Sequence, residues 1–393
     1  MINRRIHTPE GVRDIYGDEL QRRIKLTGKL HEIITSYGYR DIQTPSFEYL
    51  DIYSHDASTT SLRELYKFFD KEGDTLALRS DFTPAIARCA SKYFLEDDMP
   101  TRLCYQGNTF SNRSELQGKL KETYEMGVEL IDKDSTIDAD AEMICLVVEA
   151  LKAIGLDSFQ IAIGEINYFK GLVGSTGLIG DDIEVLKTYI QDKNYFGARD
   201  FLERLKVDKN IIDALLEVSD INDIEALKAA GERAPVSEAK AACKRLEEIY
   251  NIICDMGYEK YVSFDLAMIN QFHYYTGILL RVYTYGVGGS IAKGGRYDNL
   301  LSNFGESRSA VGLVFMIDEL MSALKAQKLA PGVEYNDCYM IYDDNSRVKA
   351  LRRASELRLS GTNAICVYAG SHEKAERAVA YAKEMNAKYE NMI

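Results

Sequence analysis

Asn270–Leu301, NQFHYYTGILLRVYTYGVGGSIAKGGRYDNLL, is the stretch that decides the fold of this 393-residue chain. It joins a Tyr-Tyr-Thr-Gly start, an apolar strand-like run, a glycine turn and a Gly-Gly-Arg-Tyr-Asp end. Two tyrosine-bearing strand termini are therefore expected to meet around one small ligand. The glycines at 286–290 and 293–298 match neither the phosphate-cradling GxxxxGK[ST] pattern nor a GxGxxG between strand and helix. They read as tight turns and close backbone packing.

Outward from this stretch the chain supplies helices and strands in clear order. Residues 18–38 place Leu20, Ile24, Leu30, Ile33, Ile34 and Tyr37 near helical spacing, with Gly38 to end the run. Thr44-Pro45 biases the next segment to extended geometry. KFFDKEGDTLALRSDF (67–82) reads as a hairpin that delivers Arg79 and Asp81, and a helix follows from Thr83 with Pro84 in its first turn. Two strand-like runs, TRLCYQGNTF and ETYEMGVELI, flank the polar loop 111–121, a long connection of the kind that often carries function. DADAEMICLVVEALKAIGL predicts a helix and SFQIAIG a buried strand. From 175 to 256 the patterns are helical throughout, and strand signals resume at YVSFDLAMI. AVGLVFMIDELMSALKAQ predicts a strand running into a helix, and Leu329–Gly332 a linker. The expected organisation is a core in two parts, 1–174 and 257–330, a helical insertion at 175–256, and a short C-terminal α/β module at 331–393 with two strands and two helices.

The bulk composition narrows the function. A net charge of −13, with 61 acids against 48 bases and no basic run, argues against a nucleic-acid partner. No basic start followed by an apolar run and no membrane-length apolar run is present, so a cytoplasmic location and no membrane partner are expected. The seven cysteines are scattered without a CxxC pair and read as buried free thiols. The histidines at 7, 31, 55, 273 and 372 lack HExxH spacing. No metal and no cofactor are expected, and neither a GxSxG elbow nor a Cys/His dyad is present.

Chemistry is expected around TYEMGVE. Side chains alternate along a strand, so Glu125, Gly127 and Glu129 share one face, and four residues at the strand rise put the carboxylates ~13 Å apart. That span suits the two ends of one small cationic ligand, although a solvated sheet face would show the same pattern. Asp81 adds a third acid, and Tyr275 and Tyr297 offer hydroxyls and apolar walls. Together they describe an electronegative, aromatic-sided pocket fit for an ammonium or an imidazole.

TPSFE, LALRSDFTPAIAR, the YQGNTF to EMGVELI pair, HYYTG, KGGRYDNL and AVGLVFMIDEL, in this order over roughly residues 1–330, resemble the catalytic core of class II histidyl-tRNA synthetases. The resemblance implies an α+β fold, a mostly antiparallel sheet flanked by helices, with a helical insertion. In that family, arginines hold the triphosphate and stabilise charge developing in the transition state. Their positions here are Ser111, Asn270 and Glu319. Arg113, two residues from Ser111, could share its strand face and compensate in part. Of the amino-acid pocket, Thr83, Glu129, Tyr275 and Tyr297 match, while Asp81 and Glu125 stand where the enzymes have Glu and Gln.

Lost arginines, a kept pocket and a tail shorter than a full anticodon-binding domain look like the synthetase-like regulatory subunits of ATP phosphoribosyltransferase, the first enzyme of histidine biosynthesis. That resemblance implies a non-catalytic chain, itself a dimer within a hetero-oligomer with the short-form catalytic subunit. It implies feedback inhibition by histidine, bound at the pocket or at the subunit contact. The alternatives are a divergent histidyl-tRNA synthetase and a stand-alone histidine or tRNA sensor.

Overall fold

The structure, a computed structural model, describes residues 6–53, 60–94, 99–112, 120–269 and 274–393. It divides into two compact units, residues 1–330 and 331–393. Asn270, His273 and Arg113, and the middle of the 111–121 loop, lie outside the described residues.

In the first unit, α1 (Gly17–Ser36) buries Leu26, Leu30 and Ile34, one stripe at helical spacing, and opens on Asp18 and Glu19, which suit the positive helix end. After β1 (Arg40–Asp41) come β2 (Phe47–Tyr49), β3 (Lys67–Phe69) and β4 (Thr75–Leu78). β4 lies between β2 and β3, so the expected hairpin becomes a three-stranded antiparallel sheet. α2 (Thr83–Tyr93) starts with Pro84 in its first turn, where a missing N–H costs nothing. β5 (Thr101–Phe110) and β6 (Glu122–Asp132) form the long antiparallel pair, followed by α3 (Ile137–Ala153) and β7 (Phe159–Glu165).

Helices then run without a strand among the described residues: α4 (Ile166–Gly174), α5 (Asp181–Gln191), α6 (Tyr195–Arg204), α7 (Lys209–Leu216), α8 (Ile224–Arg233) and α9 (Ser237–Asp255). The return to strand structure is brief at first. β8 (Val262–Phe264) takes three residues of YVSFDLAMI, and β9 (Ile278–Thr284), β10 (Ala292–Arg296), β11 (Ser309–Met316) and α10 (Ile317–Ala326) complete the unit.

Eight strands form one sheet in the order β1-β5-β6-β11-β10-β9-β7-β8. It is antiparallel except at its outer ends, where β1 joins β5 and β8 joins β7 in parallel. Period-two alternation gives each face its own character. Met126, Val128 and Leu130 of β6, with Val311, Leu313 and Phe315 of β11, enter the main core with residues of α1 and α3. Glu125, Gly127 and Glu129, with Gly312 opposite Glu129 and Gly295 opposite Gly312, fall on the other face.

Arg296, next after Gly295, therefore points to the helical side, where it bonds Asp140 of α3 through Nε at 2.9 Å and the Thr136 carbonyl at 3.1 Å. Arg245 of α9 bonds the other Asp140 oxygen through Nε at 3.1 Å. Asp140 and Arg296 are 0% and 2% exposed. The Arg of Gly-Gly-Arg-Tyr-Asp is thus a framework residue.

The second unit has β12 (Asp337–Tyr342), α11 (Arg347–Leu359), β13 (Asn363–Tyr368), α12 (His372–Glu384) and β14 (Lys388–Asn391), in a parallel sheet of order β13-β12-β14. The expectation of two strands is corrected to three. β14, KYEN, is polar and mostly exposed, so it shows no apolar alternation and is held through its backbone pairing to β12. β12 is the buried centre: Cys338 and Met340 pack with Ala354 of α11, and Tyr339 and Ile341 with Ala375 and Ala382 of α12.

The seven cysteines are free, but not all are buried. Cys254 is exposed, because it follows Ile253 by one step and so leaves the buried stripe of α9.

Removing Asp140 would leave the buried Arg296 guanidinium leaning on the partly exposed Asp298 carboxylate at 3.2 Å. Asp140→Ala is expected to cost about 3–5 kcal/mol of stability, read from urea unfolding, and Arg245→Ala distinctly less because Arg245 is partly exposed.

Candidate functional site

A cavity of about 590 Å³ opens on the glycine-bearing face of the large sheet. Its lining brings together all six residues singled out from the sequence: Asp81, Thr83, Glu125, Glu129, Tyr275 and Tyr297. The size lies within the range of small-molecule sites.

Each wall has a local cause. Asp81 precedes α2 and accepts the Thr83 backbone N–H at 3.0 Å, which fixes the start of that helix beside the cavity. Thr83 then donates its hydroxyl to Glu129 Oε1 at 2.8 Å, and Tyr297 donates to Glu129 Oε2. Glu129 stands over Gly312, where a Cβ would collide with its carboxylate, and a Cβ at Gly295 would press on the Tyr275 ring. The two glycines make the floor, so no other residue fits there without moving the acid or the tyrosine. Tyr274 packs at 5.6 Å against Tyr297 and edge-on at 4.9 Å to Tyr275, forming the aromatic wall. Lys170 of α4 holds the Tyr275 carbonyl at 2.7 Å.

A solvated sheet face is excluded for the two glutamates, since Glu125 and Glu129 are 8% and 1% exposed. Burial pushes the Glu129 carboxyl up to about 8, against hydrogen bonds from Tyr297 and Thr83 that favour the charged form. Burial likewise lifts Glu125 to about 7, with Lys293 drawing it down and Asp81 adding to the rise. These acids are poised to accept N–H donors from a ligand, which would supply the positive charge or hydrogen bonds their burial leaves wanting.

Ser111 and Glu319, two of the three positions compared with synthetase arginines, also line the cavity. Ser111 buries a hydroxyl with no partner among the described residues, and Glu319 faces the Gly288-Gly289 turn beside Asp318. Asp318 accepts the Tyr124 N–H at 2.8 Å. Among the described residues of the lining, five are acids (Asp81, Glu125, Glu129, Asp318, Glu319) and the cation is Lys293. Arg79, delivered by the hairpin, is spent elsewhere: it donates to the Asn108 carbonyl at 2.7 Å and the Thr44 carbonyl at 3.1 Å and stacks on Phe82.

Sequence reading missed Lys293, Tyr105, Tyr274 and Gly312 as lining residues. Lys293 had a signal, since it shares strand parity with Gly295 and Tyr297. Tyr105 and Gly312 enter through cross-strand register, opposite Gly127 and Glu129, which no local pattern announces.

The helix-flanked, mostly antiparallel sheet is a histidyl-tRNA synthetase-like class II fold. The histidyl-tRNA synthetase family model matches residues 11–320. The ATP phosphoribosyltransferase regulatory subunit of Acetivibrio thermocellus is 35% identical over 92% of this chain and 86% of its own. That of Clostridium kluyveri is 33% identical over 98% and 99%. A solved ATP phosphoribosyltransferase regulatory subunit/histidyl-tRNA synthetase from Bacillus halodurans superposes with a TM-score of 0.84 at 28% identity, covering 98% of this chain and 97% of that one. Histidyl-tRNA synthetase from Nostoc, at 19% identity and TM-score 0.77 over 97% and 90%, shares the fold. The chain belongs to the ATP phosphoribosyltransferase regulatory subunit family.

Raised carboxyl values fix a sign for stability. Glu125 and Glu129 bind protons more tightly folded than unfolded, so their contribution is full below about 4.5 and is lost as pH rises through about 7 to 8. The thermal midpoint of the ligand-free protein should fall between pH 5 and 8.5, and Glu129→Gln should flatten that fall. Glu165, also lifted by burial to about 7, leaves a residual slope.

Proposed function

We propose that this chain is the non-catalytic regulatory subunit of an ATP phosphoribosyltransferase complex, supporting a short-form catalytic subunit and allowing feedback inhibition by histidine. One observation carries the reading: a single cavity keeps Thr83, Glu129, Tyr275 and Tyr297 at its amino-acid end and has no arginine among its described lining residues at the end where a triphosphate would need cations. Polyphosphate chemistry requires positive charge at the developing anion. Glu319 and Asp318 present the opposite sign there, which supports loss of aminoacylation.

Histidine fits the other end. Glu129, hydrogen-bonded by Thr83 and Tyr297, would take an imidazole N–H, and Asp81 and Glu125 the ammonium, across the ~13 Å that four strand residues span. Bound there, histidine would bias the complex between active and inhibited states through its different affinity for each.

Self-association has its own support. Phe47, Tyr49 and Phe68 share one exposed face of the small three-stranded sheet, and Phe47 meets Phe68 edge-on at 5.6 Å. We assign this aromatic face to a second copy of the chain. Phe47→Asp with Tyr49→Asp should halve the mass found by sedimentation, and an unchanged mass rejects the face.

Mixing the chain with a short-form catalytic subunit should raise turnover of ATP and phosphoribosyl pyrophosphate and confer histidine inhibition. Glu129→Ala should keep the activation and weaken histidine binding in calorimetry by about 1–3 kcal/mol. No effect on turnover or inhibition defeats the reading. Histidine-dependent pyrophosphate exchange into ATP would instead mark a synthetase, and RNA binding that weakens steeply with salt a sensor.

A further inference from the structure

We propose that His31, Asp41 and Cys104 form a binding site for a zinc-type divalent metal ion at the edge of the eight-stranded sheet. The three residues come from α1, β1 and β5 and are brought together by tertiary structure alone. Asp41 and Cys104 are direct partners in the parallel β1–β5 pair, and their side chains leave the sheet on the side that α1 covers.

Asp41 Oδ1 is the shared centre, with His31 Nε2 at 2.8 Å and Cys104 Sγ at 3.4 Å. The three ligand atoms all lie within 4.8 Å of one another. Nitrogen, oxygen and sulfur at 2.0–2.3 Å from a tetrahedral zinc lie about 3.3–3.6 Å apart, so side-chain adjustments of an ångström or so close the set. Imidazole, carboxylate and thiolate together suit zinc, whereas magnesium and calcium ask for oxygen alone.

Hydrogen bonding alone is a poor reason for this arrangement. A thiol is a weak donor, and here it shares one carboxylate oxygen with an imidazole. A metal ion replaces both bridging protons: Cys104 releases its S–H proton to solvent, and neutral His31 changes tautomer, giving up the Nε2 proton and taking one from solvent on Nδ1. Cys104 is buried, while the His31 and Asp41 side chains are 34% and 69% exposed, so an ion can enter from solvent and keep a water as its fourth ligand. The bound ion would staple α1 to the two-residue strand β1. This site shares no residue with the acid-lined cavity, and its test is independent of the histidine reading.

Cobalt(II), a spectroscopic stand-in for zinc, titrated into the full chain at about pH 8, where imidazole is neutral, should bind once per chain with a thiolate charge-transfer band. Zinc should displace it and raise the thermal midpoint. Cys104→Ser should abolish the band and Cys254→Ser, at the exposed cysteine, should leave it. Asp41→Asn and His31→Gln, both at solvent-exposed ligands, should weaken zinc about tenfold or more in competition with a chelator, and they decide the matter if Cys104→Ser fails to fold. No band, a band that survives Cys104→Ser or disappears with Cys254→Ser, or unchanged zinc affinity in Asp41→Asn and His31→Gln overturns the proposal.

Discussion

Asp140 holds two guanidinium groups at once, Arg296 from the sheet and Arg245 from α9, in a place water does not reach. A buried carboxylate is tolerable only when its charge is answered and its lone pairs are filled, and here both oxygens are bonded. This constraint fixes β10 from beneath. With Arg296 drawn down to α3, its neighbours Gly295 and Tyr297 must face up, so the floor and one wall of the cavity follow from an ion pair on the opposite side of the sheet. Removing Arg296 would disturb the site without touching anything inside it.

On the proposed function, recognition and activation separate physically in this cavity. Recognition of a small cationic or N–H-bearing ligand needs acids, hydroxyls and aromatic walls, and Glu129, Thr83, Tyr297 and Tyr275 offer these along the cavity. Activation needs fixed positive charge where a phosphate changes geometry. The described lining offers Lys293 against Asp81, Asp318 and Glu319, with Glu125 and Glu129 biased by burial toward the neutral form, so polyanions meet a potential of the wrong sign.

Much of this was legible in the chain itself. The alternation of Glu125, Gly127 and Glu129 with Met126 and Val128 gave β6 its two faces, and the Tyr-Tyr and Gly-Gly-Arg-Tyr-Asp elements marked strands that do converge on one cavity. Sequence periodicity could not decide whether the glutamate face met water, since alternation looks the same either way; burial did. Nor could it assign Arg79 to backbone carbonyls, see β14 in a polar KYEN, or gather His31, Asp41 and Cys104 from three separate elements. Those depend on register and tertiary approach, which local pattern does not encode.

The eight-stranded sheet ends in its two shortest strands, two residues in β1 and three in β8. An open sheet of this width would ordinarily present long rails of unpaired N–H and C=O groups, templates for another molecule's strand. Rails this brief offer an incoming strand little at the tips, and where β5 runs past β1 the Phe110 N–H and Asn108 carbonyl are already bonded to Arg79. Growth by sheet extension, the route from folded protein to fibril, therefore has little purchase on the large sheet.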